Sequence, residues 1–221
     1  RLARFYGTVV NLAIANDWMH KNPFAGIRFQ EKEVIREVLT KEEIERMMCK
    51  EFALPRLEYV RDVFIFCVFT GMAYVDVNNL RQEHIVRDNN DDLWIRKARQ
   101  KTNNMCNIPL LKIPQLLMEK YKNHPLCTKT GALLPVPSNQ KMNSYLKEIA
   151  DFCGIQKNLT THTARHTFAT VVALANGVSM ENIAKMLGHS DIRMTQRYAK
   201  VMDSSIMRDM ENVDKLFKSS E

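Results

Sequence analysis

The chain has 221 residues, 45% hydrophobic and 26% charged, which is the composition of an ordinary folded protein and excludes a disordered or fibrous one. Its 32 Lys and Arg against 25 Asp and Glu leave +7, a balance that favours a polyanionic partner through release of condensed counterions. No run of about 18 apolar residues occurs, so no membrane-spanning helix is expected, and residues 1–11 lack the apolar core of a secretory signal. The five cysteines (Cys49, Cys67, Cys106, Cys127, Cys153) are scattered and lack zinc spacing; they read as reduced core thiols of a cytosolic protein. A first residue of Arg rather than Met points to a missing N-terminal part.

In chain order, Leu2, Phe5, Val9, Leu12, Ala13 and Trp18 predict a helix over 2–19 that stops at Asn22-Pro23, because the residue before a proline avoids helical geometry. Charged residues without periodicity follow, so 23–38 reads as a linker. Thr40-Lys41-Glu42-Glu43 is a capping box that opens a helix to about Lys50. Residues 57–70 are apolar enough for a buried helix ended by Gly71. Three short strands are expected at 83–87, 93–98 and 104–110, with turns at Asp88-Asn89-Asn90-Asp91 and Lys101-Thr102-Asn103-Asn104. The remainder reads as helices at 112–122, 138–153, 162–175, 179–187, 191–200 and 204–218. The fold class is therefore mainly α with a small antiparallel β-meander.

Three strings carry chemistry. His162-Thr163-Ala164-Arg165 puts a histidine and an arginine on one helix face, about 5–6 Å apart at Cβ, where both can grip one phosphate. Taken alone, the string equally describes a helix start with two solvated polar residues. Leu187-Gly188-His189-Ser190 follows, and Tyr198 lies nine residues past His189. Alone, that is a helix–turn–helix corner with a packed tyrosine.

Together the strings resemble the tyrosine recombinase, or phage-integrase type, family. The resemblance rests on His162-Thr163-Ala164-Arg165-His166-Thr167-Phe168-Ala169-Thr170, then Leu187-Gly188-His189-Ser190, then Gln196-Arg197-Tyr198, in the family's order and spacing. Arg99-Gln100-Lys101-Thr102 before Ile108-Pro109-Leu110-Leu111 is similar to the family's lysine hairpin and marks Lys101. Thr70-Gly71-Met72-Ala73-Tyr74-Val75-Asp76 is similar to its first box, with Asp76 at the acidic position. Residues 1–22 resemble the tail of a core-binding domain, which leaves 39–221 as the catalytic domain. One departure stands out: the family has arginine where this chain has Ala73. A methyl group cannot neutralise phosphate, and losing such a donor costs about 10²–10³ in rate. Arg99 is the best replacement, since residues 99 and 101 share a strand face; Arg81, Arg56 and Arg61 are weaker ones. Some integrases of Bacteroides mobile elements resemble this departure, which favours a natural variant over an engineered one.

The resemblance implies a reaction and its roles. Tyr198 attacks a DNA phosphodiester and leaves a 3′-phosphotyrosyl link and a free 5′-hydroxyl, so no nucleotide cofactor and no metal is needed. A phenol has an ordinary pKa of about 10, so a base such as His162 takes its proton. Arg165 holds two phosphate oxygens, Lys101 protonates the leaving oxygen, and His189 donates to a phosphate oxygen or orients the nucleophile. Arg28, Lys97, Lys141 and Lys147 are candidates for tracking the DNA backbone. Implied partners are double-stranded DNA, a homotetramer on two DNA sites and accessory DNA-bending proteins, with no membrane; the setting is the bacterial cytoplasm. Ile206, Met210, Val213 and Phe217 form a narrow apolar stripe on the last helix. The resemblance implies exchange of that helix in trans, with packing on its own domain the alternative. Two other readings stay open: a DNA-binding protein disabled by Ala73, and a strand-relaxing topoisomerase.

Overall fold

The computed structural model describes residues 2–27 and 37–199. The chain divides into two compact units, Arg1–Ile35 and Arg36–Glu221. In the first unit, helix α1 (Leu2–Ala15) is shorter than its periodicity predicts. Its end is set by Asn16 and Asp17 instead of Asn22-Pro23. Asp17 takes the left-handed conformation at φ 57°, and the amides of Asp17 and Trp18 turn back to the carbonyls of Ile14 and Ala13 at 3.1 and 2.9 Å. That is the bond pair of a Schellman cap, which outcompetes the downstream proline as a stop signal. Most of the 23–38 linker, the 204–218 helix and its stripe lie outside the described residues.

The second unit opens as its capping box dictates. Thr40 accepts from the Glu43 amide while the Glu43 carboxylate accepts from the Thr40 amide, and α2 (Lys41–Cys49) follows. Helix α3 (Pro55–Thr70) starts on a proline, which has no amide to leave unpaired there, and is buried on nearly every face. It is the centre of the main core: Leu57, Val60, Phe64, Ile65, Phe66 and Val68 are almost wholly buried. Gly71 ends it in the left-handed region at φ 66°, donating to the Cys67 carbonyl at 2.9 Å. A short helix α4 (Tyr74–Asn78) comes next; five residues are too few for periodicity to announce it.

The meander is β1 (Ile85–Arg87), β2 (Leu93–Ala98) and β3 (Met105–Pro109), antiparallel in that order. Ile95 pairs with Ile108, and both point into the core, which pins the register. Asp88 shapes the first turn, its Oδ1 accepting from the amides of Asn90 and Asp92 and its Oδ2 from the Trp94 indole.

Helices α5 (Lys112–Tyr121), α6 (Pro125–Thr130) and α7 (Asn139–Phe152) complete the frame, and α5 and α7 pack on α3. The sequence reading missed α6, although Pro125 at its start and Gly131 at its end are the expected signals. The helix expected at 162–175 is not continuous. It begins as α8 (Thr161–Thr167), widens to π geometry over Phe168–Ala173, and tightens over Leu174–Asn176. The Thr170 hydroxyl donates to the His166 carbonyl at 2.7 Å within this stretch. Such back-bonding perturbs helices, and π segments gather at functional sites. Helices α9 (Met180–Leu187) and α10 (Arg193–Ala199) close a second, smaller cluster of Phe168, Ala169, Ala173, Ile183, Leu187 and Tyr198. Four of the five cysteines are buried as expected, but Cys49 is exposed, because it sits on the last turn of α2 facing away from the core.

Candidate active site

Arg165 is the centre of the site. It lies on α8, only 8% exposed, and its guanidinium is spread between elements distant in sequence. Nη1 donates to the Gly71 carbonyl and Nη2 to the Leu187 carbonyl, each at 2.6 Å. Both acceptors lie at helix C-termini, where main-chain carbonyls lack intrahelical partners, so the ends of α3 and α9 aim the arginine. Gly71 is required there twice over: its φ is positive, and a side chain would collide with the Phe168 ring and with Leu187 Cδ2.

Nη2 also lies 3.3 Å from His189 Nε2. A guanidinium only donates, so Nε2 must accept, and the ring proton sits on Nδ1, 2.9 Å from the Thr195 hydroxyl. His189 is therefore neutral here. Burial, then the charges of Arg165 and Arg99, push its pKa down to about 4. The sequence suggests that His189 donates to a phosphate oxygen or orients the nucleophile; in the ligand-free geometry Nε2 accepts from Arg165 and the ring stacks on Tyr198.

Arg99 is the second cation. Its side chain is half-buried and packs near the Gly188 turn, where a Cβ built on Gly188 would lie 3.6 Å from Arg99 Cβ. Burial and the neighbouring Arg99 charge both lower the Arg165 pKa. Arg99 Nε is buried and has no hydrogen-bond partner among the described residues. The buried Asp76 carboxylate acts on Arg165 from a distance, but no acid forms an ion pair with either arginine among the described residues. Arg165 bonds only to neutral groups, and the adjacent thiols of Cys67 and Cys106 are held protonated by burial, that of Cys67 pushed up to about 12. The other arginines considered as replacements are committed elsewhere. Arg56 pairs with Glu148, Arg61 with Asp62, and Arg81 bonds the carbonyls of Asn78 and Leu80.

Tyr198, on α10, is 8% exposed. Its ring lies 5.3 Å from the His166 ring and is nearly parallel to the His189 ring at 6.4 Å. His166 belongs to the motif string but was given no role from sequence; its place one residue past Arg165 carries no signal without the position of α10. His162 and Lys101 are exposed, the first on the opening turn of α8 and the second at the hairpin tip. Buried Tyr198 and Arg165 and half-buried His189 and Arg99 thus form one cluster, while His162 and Lys101 stand outside it. Ala73 is half-buried and caps α4, and the Asp76 carboxylate is buried, accepting from the Gln100 amide at 2.9 Å.

This mostly helical domain with its three-stranded sheet is the fold of tyrosine recombinase catalytic domains. Solved structures of XerA recombinase and of a lambda integrase dimer bound to a core site match it with TM-scores of 0.62 and 0.64. Identities are 21% and 19%, the matches covering 94% and 85% of this chain and 73% and 68% of those chains. Residues 37–205 match the Phage integrase family, and the chain belongs to it. It is also 40% identical over 95 residues to tyrosine recombinase XerD of Staphylococcus saprophyticus, a match covering 43% of this chain. That match spans 31% of the XerD length.

Proposed function

We propose that this chain is the catalytic portion of a site-specific DNA recombinase that cuts and rejoins DNA through a 3′-phosphotyrosyl intermediate. The observation that carries the reading is the pair of guanidiniums, Arg165 and Arg99, set beside a buried tyrosine with no ion-paired acid on either among the described residues, the Asp76 carboxylate acting only from a distance. Two like charges held this way favour an anion between them, and a phosphodiester beside a tyrosine hydroxyl is the substrate that fits.

In the reaction, Tyr198 Oη attacks the scissile phosphorus as the bond to O5′ breaks, and its proton passes to His162. Arg165 and Arg99 take the charge growing on the non-bridging oxygens, with Arg99 filling the place that Ala73 leaves empty. Lys101 protonates the departing O5′. An incoming 5′-hydroxyl reverses the step on another strand, so the bond energy is kept in the covalent link. His166 and His189 flank the phenol and hold its ring. Arrival of phosphate lets Arg165 release His189 Nε2, which then gains a proton and donates. The DNA is double-stranded, and strand exchange between two sites calls for four copies of the chain, the last helix passing between protomers. Action on chromosomal or element DNA sets the work in the cytoplasm, and the residue at position 73 fits integrases of Bacteroides-type mobile elements.

A nicked suicide duplex, chosen by covalent trapping from a random-sequence library, tests the reading. A denaturation-resistant protein–DNA adduct on the wild-type chain supports it. DNA binding without any adduct would leave a binding protein disabled by Ala73, and relaxation of supercoils without strand exchange would leave a topoisomerase.

A further inference from the structure

The hairpin that carries Arg99 and Lys101 is tied down on both flanks, and the two ties are of different kinds. On the near side, the buried Asp76 carboxylate accepts from the Gln100 amide at 2.9 Å, and Asn79 Nδ2 donates to Gln100 Oε1 at 2.9 Å. On the far side stands Asn104. Its main-chain carbonyl accepts from the Arg99 amide at 2.9 Å, closing the hairpin, and its Nδ2 donates to the Gly188 carbonyl at 3.2 Å. Only the amide nitrogen can face a carbonyl, so the orientation of the side chain is fixed by chemistry.

The Gly188 carbonyl is one of the orphan acceptors that a helix C-terminus leaves, here at the end of α9. It belongs to the peptide that leads into His189, whose own amide is held by the Ala184 carbonyl at 2.9 Å. Packing repeats the message of the hydrogen bond. A Cβ on Gly188 would meet Cys106 Sγ at 2.7 Å and the Asn104 carbonyl at 3.3 Å, so β3 enters the sheet pressed against this turn. One half-buried side chain therefore joins the backbone beside Arg99 to the backbone beside His189.

We propose that Asn104 is a positioning residue that couples the Arg99–Lys101 hairpin to the Gly188-His189 turn, so that cations and imidazole approach the phosphate as one rigid unit. With only the Asp76 and Asn79 ties, both on Gln100, the hairpin pivots about that residue. Lys101, three residues from Asn104 and exposed at the tip, then sweeps through the largest displacement. The inference rests on the reading of Lys101 as proton donor, and the experiment separates the two.

The test uses the full chain with Asn104→Ala, Asn104→Asp and Lys101→Ala. In the DNA-free protein, the titration of His189 followed by NMR reports whether the turn still feels the hairpin. Asn104→Ala should shift its midpoint upward; Asn104→Asp should shift it further, because its new carboxylate also favours the charged ring, so the alanine variant decides. An unmoved midpoint in Asn104→Ala overturns the coupling without touching the recombinase reading. Single-turnover cleavage is then measured on the trapped duplex with an ordinary O5′ leaving group and with sulfur in its place. A thiolate leaves without a proton donor, so any defect in placing that donor disappears. Asn104→Ala should be slower by about 10- to 100-fold with oxygen, the cost of a misplaced group, and within about 3-fold of wild type with sulfur. Equal slowing on both substrates, with Lys101→Ala rescued by sulfur, means Asn104 supports the fold only. A Lys101→Ala defect that sulfur does not rescue removes Lys101 as the donor, and the Asn104 assignment with it.

Discussion

Arg61 and Arg165 are equally buried, each 8% exposed, yet their surroundings are opposite. Arg61 sits in the α3 core. Its Nε donates to Asp62 Oδ1, its Nη1 bonds the carbonyls of Met47, Met48 and Lys50 at the end of α2, and its plane covers Phe52. Asp62 in turn accepts from Lys120 and from the Tyr121 hydroxyl, each at 2.7 Å. Every charge in that network has an opposite within bonding distance. Arg165 has two carbonyls, a neutral imidazole and a second arginine. A buried cation with its own acid is part of the architecture, because the desolvation cost is offset inside the fold. One bonded to neutral partners and facing a like charge, with its nearest acid, Asp76, acting only from a distance, keeps a field that favours an outside anion.

Tyr198→Phe should give the largest effect, because it leaves that field intact and removes only the attacking oxygen. Covalent linkage to DNA should vanish while binding stays within a few-fold; adduct persisting on a denaturing gel would place the nucleophile elsewhere. The two arginines give the sharpest contrast. Arg61→Ala leaves Asp62 with Lys120 and Tyr121 but takes away its buried guanidinium and strands three carbonyls, and should cost about 3–5 kcal/mol of stability. Arg165→Ala strands two carbonyls and relieves the repulsion with Arg99, so its cost should be nearer 1–2 kcal/mol, while cleavage falls about 10²–10³-fold. Chemical unfolding and adduct formation measured on both variants decide it; the same ranking in both assays would erase the distinction.

Arg99→Ala comes next. Cleavage should drop about 10²-fold with little change in stability, and Ala73→Arg in that background should restore part of the rate. Normal cleavage by Arg99→Ala would mean that the hairpin arginine only crowds Arg165 and that the site works with one guanidinium.

Much of this contrast was legible in the sequence, and the parts that were not have physical reasons. The capping box at Thr40, the buried helix ending at Gly71 and the three strands follow from local rules that act over a few residues. Arg165, His189 and Tyr198 could be named because the strings around them have fixed spacing. The end of α1 was not readable, because a Schellman cap at Asp17 needs only a tolerated left-handed residue and leaves no strong signature. Nor was the π segment at Phe168–Ala173, where helical periodicity continues while the hydrogen bonds shift. His166 against Tyr198, and Asn104 against Gly188, are contacts between residues 32 and 84 apart in sequence, and no local pattern encodes them. The neutral state of His189 is likewise not legible locally, since it depends on two arginines from other elements.

The smallest effect expected is also the one that needs no DNA. His189 in the folded chain has a pKa of about 4, against an ordinary histidine value near 6.5. Between those values the folded protein binds fewer protons at this ring than the unfolded one. Stability from this group is therefore fully present above about pH 6.5 and is lost as pH falls toward 4. His84, lowered by burial and by Lys97, adds a slope of the same sign, so the wild-type curve alone does not isolate the effect. His189→Gln keeps a polar group beside Arg165 and removes the titration. The difference between the two melting curves from pH 7 to pH 4 should show the wild type losing stability faster, with a slope of at most about one proton. Inorganic phosphate should narrow that difference, since an anion between Arg165 and Arg99 cancels the field that keeps His189 neutral. Parallel curves with and without the histidine would mean that Arg165 and Arg99 do not act on it, and the unpaired cations at the centre of the comparison with Arg61 would lose their clearest solution signature.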